Sequence, residues 1–168
     1  LLLLTRYGLE RLLYRLTCSP HHDRFVLKGA MLFVLWSSNP HRPTRDVDFL
    51  GSGDSSEAGL LEVFRDLCAM PDQGDGVTFD PETVRIAPIR DDTEYGGMRV
   101  TLTGRLAGAR IPIQADIGFG DAVTPKAVEM EYQRCWAGEL HGSAPILARR
   151  WSPRSTKRLL PLVWPIAG

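Results

Sequence analysis

The six residues 45–50, RDVDFL, constrain the fold more than any other stretch of the chain. The run is short and places an apolar residue at every second position. Such alternation makes a strand, with Val47 and Phe49 on one side and Asp46 and Asp48 on the other. The chain must therefore supply a sheet for that strand, and it must tolerate two carboxylates on one face of it.

The flanking segments fit that demand. RYGLERLLYRL sets Tyr7, Leu9, Leu12, Leu13 and Leu16 at helical spacing, and the helix should end near TCSP. RFVLKGAMLFVLW opens as a short strand that Gly29 breaks, and a helix is expected to run from there to about Trp36. GSGDSSEAGLLEVFRDLCAM reads as a turn into an amphipathic helix, with Asp54 or Ser55 as its N-cap. VTFDPETVRIAPI, MRVTLTGRL and ARIPIQADIGF contain alternating stretches, the last two joined by a hairpin-like AG link, and GFGDAVTP then leaves the sheet as a loop. The order helix, helix, strand, helix, strands predicts an α+β domain with a mixed sheet.

A chain of 168 residues has room for one domain with a real core. No apolar run approaches the roughly 20 residues of a membrane span, and the opening LLLL lacks the basic flank of a signal peptide. LLLL reads instead as a helix entered part-way. Three cysteines without metal spacing (Cys18, Cys68, Cys135) suit reduced thiols in a cytoplasm.

Asp46 and Asp48, at i and i+2 on a strand, hold their Cα atoms about 7 Å apart with both side chains on one face. Two such carboxylates repel unless a cation lies between them. Mg²⁺ takes oxygen ligands and keeps positions for water and phosphate, so it is the natural partner, with Mn²⁺ as substitute. Asp116 in QADIGFG ends another expected strand and is the best third carboxylate. Lys28 and Gly29 stand where a strand turns into a helix, a place suited to a triphosphate. Arg42, Thr44 and Arg45 precede the acids and offer either phosphate contacts or order for the strand. Together these make a site for phosphoryl or nucleotidyl transfer.

The blocks FVLKGAMLFVLW, RPTRDVDFLG, YGGMRVTLTGRL and IPIQADIGFGDAVTP, in this order, resemble the AbiEii/AbiGii-type toxin nucleotidyltransferases of the DNA polymerase beta-like superfamily. The resemblance spans about residues 6 to 132. It implies a nucleotidyltransferase-like mixed sheet flanked by helices. It also implies a cytoplasmic toxin of a toxin–antitoxin or phage-defence pair, which uses a nucleoside triphosphate and Mg²⁺ and has a cognate antitoxin as partner. Some members of the family add nucleotides to tRNA 3′ ends, so tRNA is a candidate acceptor. Residue by residue, Lys28-Gly29 match the glycine-containing first motif, Asp46 and Asp48 the metal-binding pair, and Asp116 the third acidic motif.

The match to the family stops being legible further on. Of 20 Lys+Arg and 20 Asp+Glu, residues 133–168 carry six and one, which leaves 14 and 19 for residues 1–132. Three of the four tryptophans, Trp136, Trp151 and Trp164, also fall in this tail, which shows neither helical nor strand period. The family continues instead with a segment resembling YPRETVVAEK and a helical domain, which is missing here. One permitted coding of RWSPRSTKRLLPLVWPIAG, regrouped by one base, reads TVVAEKHEAIAALGMANSR, which is the absent block. The expected organisation is therefore a catalytic core over 1–132 and an out-of-frame tail over 133–168, with transfer activity impaired. Two other readings stand beside this one: a kinase-like phosphotransferase on the same site, and a non-catalytic remnant that binds nucleotide or antitoxin.

The remaining features favour plain roles. His21, His22 and His41 have no partner at ligand spacing, GSGDSS is first a helix-capping turn, and the basic RRWSPRSTKR falls in the shifted tail. GFGDAVTP, Tyr95 and Arg99 are equally open to a substrate role or a purely structural one.

Overall fold

A computed structural model describes residues 2–32, 44–71, 74–89, 96–120, 127–131 and 145–149. Helix α1 (Leu2–Cys18) leads through a short 3-10 turn into β1 (Phe25–Lys28), and a second 3-10 turn covers Gly29–Leu32. Then come β2 (Val47–Gly51), α2 (Glu57–Ala69), β3 (Val77–Ile89), β4 (Gly97–Leu106), β5 (Ala109–Gly118), β6 (Ala127–Glu131) and β7 (Pro145–Arg149). The fold is α+β, as the element order predicted.

The seven strands form one mixed sheet in the order β3-β4-β5-β2-β1-β7-β6. β3, β4 and β5 run as an antiparallel meander. β2 lies parallel to β5 and antiparallel to β1. The Ala107-Gly108 link closes the β4–β5 hairpin with positive φ at both residues, 48° and 83°. That is the twist a two-residue hairpin turn needs, although alanine is an uncommon choice for it.

Alternation along the strands assigns the two faces. Val47 and Phe49 of β2 are buried, as are Val100 and Leu102 of β4 and Ile111, Ile113, Ala115 and Ile117 of β5. These residues join Leu9, Leu12, Leu13 and Leu16 of α1 and Leu60, Val63, Phe64 and Leu67 of α2 in one apolar cluster. Both helices thus cover the same sheet face. Burial of each Leu or Phe contributes about 1.5–3 kcal/mol, so this face fixes the strand register. Wherever Val47 faces the core, Asp48 must face away from it.

Three expectations need correction. The N-cap of α2 is Ser56, whose hydroxyl accepts from Gly59 N at 3.1 Å. Asp54 instead holds the turn before it, accepting from Ser56 N at 2.9 Å. Ser55 does not cap. Next, the segment after Gly29 begins as a 3-10 turn, and residues 33–36 lie outside the described ones. Lastly, β6 and β7 continue the sheet where no strand was expected, and β7 lies within the 133–168 tail. It pairs parallel with β1 through Leu27↔Ala148 and antiparallel with β6. Residues 150–168, on which the frame argument rests, lie outside the described residues, as does the 133–144 part of the tail.

Candidate active site

Sheet register gathers the charged residues. Lys28 of β1 is opposite Asp48 of β2, Asp48 is level with Asp116 of β5, and Asp116 is opposite Arg99 of β4. One lateral row, Lys28–Asp48–Asp116–Arg99, therefore crosses four adjacent strands on the face away from the helices. Cations stand at both ends of the row and two carboxylates in the middle.

Each carboxylate has a distinct setting. Asp46 immediately precedes β2, and the Thr44 hydroxyl lies 2.9 Å from its carbonyl and 3.0 Å from its carboxylate, which orients it. Asp48 is half-buried. Its pKa is raised above the usual carboxylate value, chiefly by burial, then by the neighbouring charge of Asp46; Lys28 opposes the shift, and Asp116 adds to it. Asp116 is held by Arg99 through two bonds, Nε to Oδ1 at 2.8 Å and Nη2 to Oδ2 at 2.7 Å. Gln114 approaches Oδ1 at 3.4 Å.

Two of the residues expected to hold phosphate, Lys28 and Gly29, lie around Asp48. Gly29 has φ +73°, and a Cβ on it would collide with the Asp48 carboxylate, so glycine there leaves the space that the carboxylate occupies. The ammonium of Lys28 reaches across β2 to lie over Gly118, 3.0 Å from where a Cβ on that residue would be. Lys28, Gly29, Asp48, Asp116 and Gly118 thus share one patch. Arg45 is exposed and lines a neighbouring cavity of about 550 Å³ with Thr83, Thr101, Thr103 and Gln114.

A divalent cation fits this donor set in charge, and the sheet register brings the backbones of Asp48 and Asp116 level. Lys28 only partly offsets the negative charge of Asp48, and Asp46 and Asp116 flank it. The side-chain positions are another matter. Among the described residues no three His, Cys, Asp or Glu side chains gather at ligand spacing, and Arg99 occupies both oxygens of Asp116.

The family model of the AbiEii nucleotidyltransferase toxin, of type IV toxin–antitoxin systems, matches residues 11–148. The chain belongs to the AbiEii family. The match extends past residue 132 into β7, beyond the boundary drawn from composition. Comparison with curated proteins gives no match. Among solved structures the AbiEii-family chain is similar to JHP933 of Helicobacter pylori, at 17% identity and a TM-score of 0.49, over 87% of this chain and 51% of that one. A candidate nucleotidyltransferase of H. pylori has 17% identity and a TM-score of 0.47, over 86% and 52%. The chain thus spans about half the length of either protein.

Sequence reasoning left two residues of the candidate site unsettled. Arg99 was open between sheet and substrate, and Gln114 was not singled out at all. Its signal was present, because Gln114, Asp116 and Gly118 are at i, i+2 and i+4 and must share a face. Tyr95, Arg42 and residues 121–125 of the GFGDAVTP loop lie outside the described residues. His21 bonds to Asp66 at 3.1 Å, a structural contact. No described helix is long and apolar enough to cross a membrane.

Proposed function

We propose that this chain binds a nucleoside triphosphate with Mg²⁺ or Mn²⁺ and transfers a nucleotide to an acceptor hydroxyl, with tRNA as candidate acceptor. The observation that carries the reading is the in-register row Lys28–Asp48–Asp116. Asp46 and Asp48 would hold the cation, and Asp116 would hold a second one or orient the acceptor hydroxyl. When bound, the cation neutralises the phosphates and the departing pyrophosphate. Lys28 over Gly118 meets phosphate oxygens, and Gly29 keeps backbone close to them. Thr44 holds Asp46 in its orientation, and Arg45 is exposed for a further phosphate contact. The acceptor oxygen forms a bond to the α-phosphorus as the bond to pyrophosphate breaks, and the hydroxyl proton leaves to a carboxylate or water. The cavity beside the row, with its threonine hydroxyls and the Gln114 amide, suits a sugar or a base.

The wider reading is a cytoplasmic toxin of a phage-defence pair, held in check by its cognate antitoxin. Family membership supports the antitoxin. The lysine-bearing block expected after the sheet cannot be read in residues 150–168, so nucleotide binding should exceed turnover in this chain. The proposed division is a catalytic core over 1–132 and a tail beyond, with β7 as the one described strand within that tail.

The test is to incubate the purified chain with α-labelled nucleoside triphosphates, Mg²⁺ and bulk tRNA, alone and with residues 150–168 replaced by the frame-restored sequence. Label should bind to the chain in a cation-dependent way and pass to RNA chiefly in the restored protein. Product mass separates an added nucleotide from an added phosphate. Binding that is equal with and without cation, or unchanged in Asp48→Asn, would overturn the site.

A further inference from the structure

We infer that Arg99 is a positioning residue that exchanges partners: it holds Asp116 while the site is empty and passes to a phosphate oxygen when a cation and triphosphate arrive. The inference rests on the nucleotide site proposed above. Nothing in the family match assigns Arg99 a role.

Three observations carry it. The backbone brings Asp48 and Asp116 level on adjacent strands, yet the described side chains form no ligand cluster. Arg99 engages one lone pair on each oxygen of Asp116, at 2.8 and 2.7 Å, and this fork holds the carboxylate turned towards β4 rather than free to meet a cation shared with Asp48. A guanidinium fork matches carboxylate and phosphate geometry equally well, so Arg99 can leave one for the other without losing its paired bonds. Exposure then makes the exchange easy. The Arg99 side chain is 45% exposed and that of Asp116 18%, so neither is locked by packing. Gln114, already 3.4 Å from Oδ1, can stay with Asp116 when Arg99 departs. Lys28 stands at the other end of the row, so a triphosphate would be met from both sides.

This exchange makes two opposed predictions for one substitution. In Arg99→Gln, free Asp116 should bind Mn²⁺ alone about tenfold more tightly than the unaltered chain does. The same variant should bind Mg²⁺ with a nucleoside triphosphate about tenfold more weakly. Calorimetry on the full chain reads both. Arg99→Lys keeps the charge but loses the fork, so it should also strengthen Mn²⁺ binding. In Arg99→Gln/Asp116→Asn the gain should vanish. A gain that survives in this double variant, or one absent from Arg99→Lys, would be a general charge effect and would overturn the exchange. Mn²⁺ binding that depends on Asp48 but is not strengthened in Arg99→Gln also overturns it, and leaves the nucleotide site standing. Mn²⁺ binding insensitive to Asp48→Asn overturns the site and the exchange together. Melting curves confirm that the variants fold, which the exposure of Arg99 favours.

Discussion

Gly29 lies directly over the carboxylate of Asp48, at a backbone angle that an L side chain seldom adopts. One residue thus satisfies two demands, a left-handed turn at the end of β1 and open space above an acid. Gly29→Ala meets both obstacles. The left-handed conformation alone costs about 1–2 kcal/mol, and the methyl group must also push Asp48 aside. The variant should lose that much stability in urea titration and bind the metal–triphosphate complex poorly even where it is folded. Unchanged binding in Gly29→Ala would show that Asp48 need not stay where it is.

Asp48 should make the ligand-free fold pH-sensitive in a defined direction. Its pKa is raised on folding, mainly by burial and then by Asp46. The folded state therefore binds this proton more readily than the unfolded state does. The resulting penalty is absent below the unfolded value of 3.8, grows as pH rises through the folded value, and is complete above it. Asp48→Asn should accordingly raise the melting temperature near neutral pH by a few degrees, and the gain should shrink as pH falls towards the unfolded value. A gain independent of pH would assign the effect to something other than charge.

Asp75 ties α1 to the start of β3. Arg15 lies 3.5 Å and Arg11 3.9 Å from its carboxylate, all three side chains being buried. Arg15 also donates to Val77 O at 2.6 Å and lies over the Phe79 ring at 4.6 Å. Removing one partner from a buried ionic group leaves the other charges uncompensated, at a cost of about 3–5 kcal/mol. Asp75→Asn should lower stability by about that amount, read from the urea midpoint, and should shift α1 more than the sheet in hydrogen exchange.

The thiols should differ sharply in reactivity. Cys18 is exposed. Cys68 is buried on α2, and burial pushes its pKa up to about 12, so almost no thiolate exists at neutral pH. Iodoacetamide should label Cys18 readily and Cys68 only after denaturation, as peptide mass mapping would show. Equal labelling of both would mean that α2 opens freely.

Much of this was legible in the chain because alternation does not depend on context. Val47 and Phe49 alternate with Asp46 and Asp48, and β3, β4 and β5 alternate in the same way, so strands and faces could be read directly. Lateral alignment could not. Nothing in the residues alone says that Asp48 is level with Asp116, since β2 and β5 are far apart in sequence and no turn joins them. β7 was missed for a related reason. PILAR is short and sits in a stretch whose composition hides any period, and its place beside β1 depends on contacts far away in sequence.

The parallel pairing of β2 with β5 has a consequence for biosynthesis. Asp48 is made early and Asp116 much later, and the two meet only when the whole β4–β5 hairpin has docked beside β2. A nascent chain that has exposed β1, β2 and α2 carries half of the charged row and no third carboxylate. Synthesis order thus sets assembly order: the row cannot form until β1, β2, α2, β3, β4 and then Asp116 of β5 have all been made.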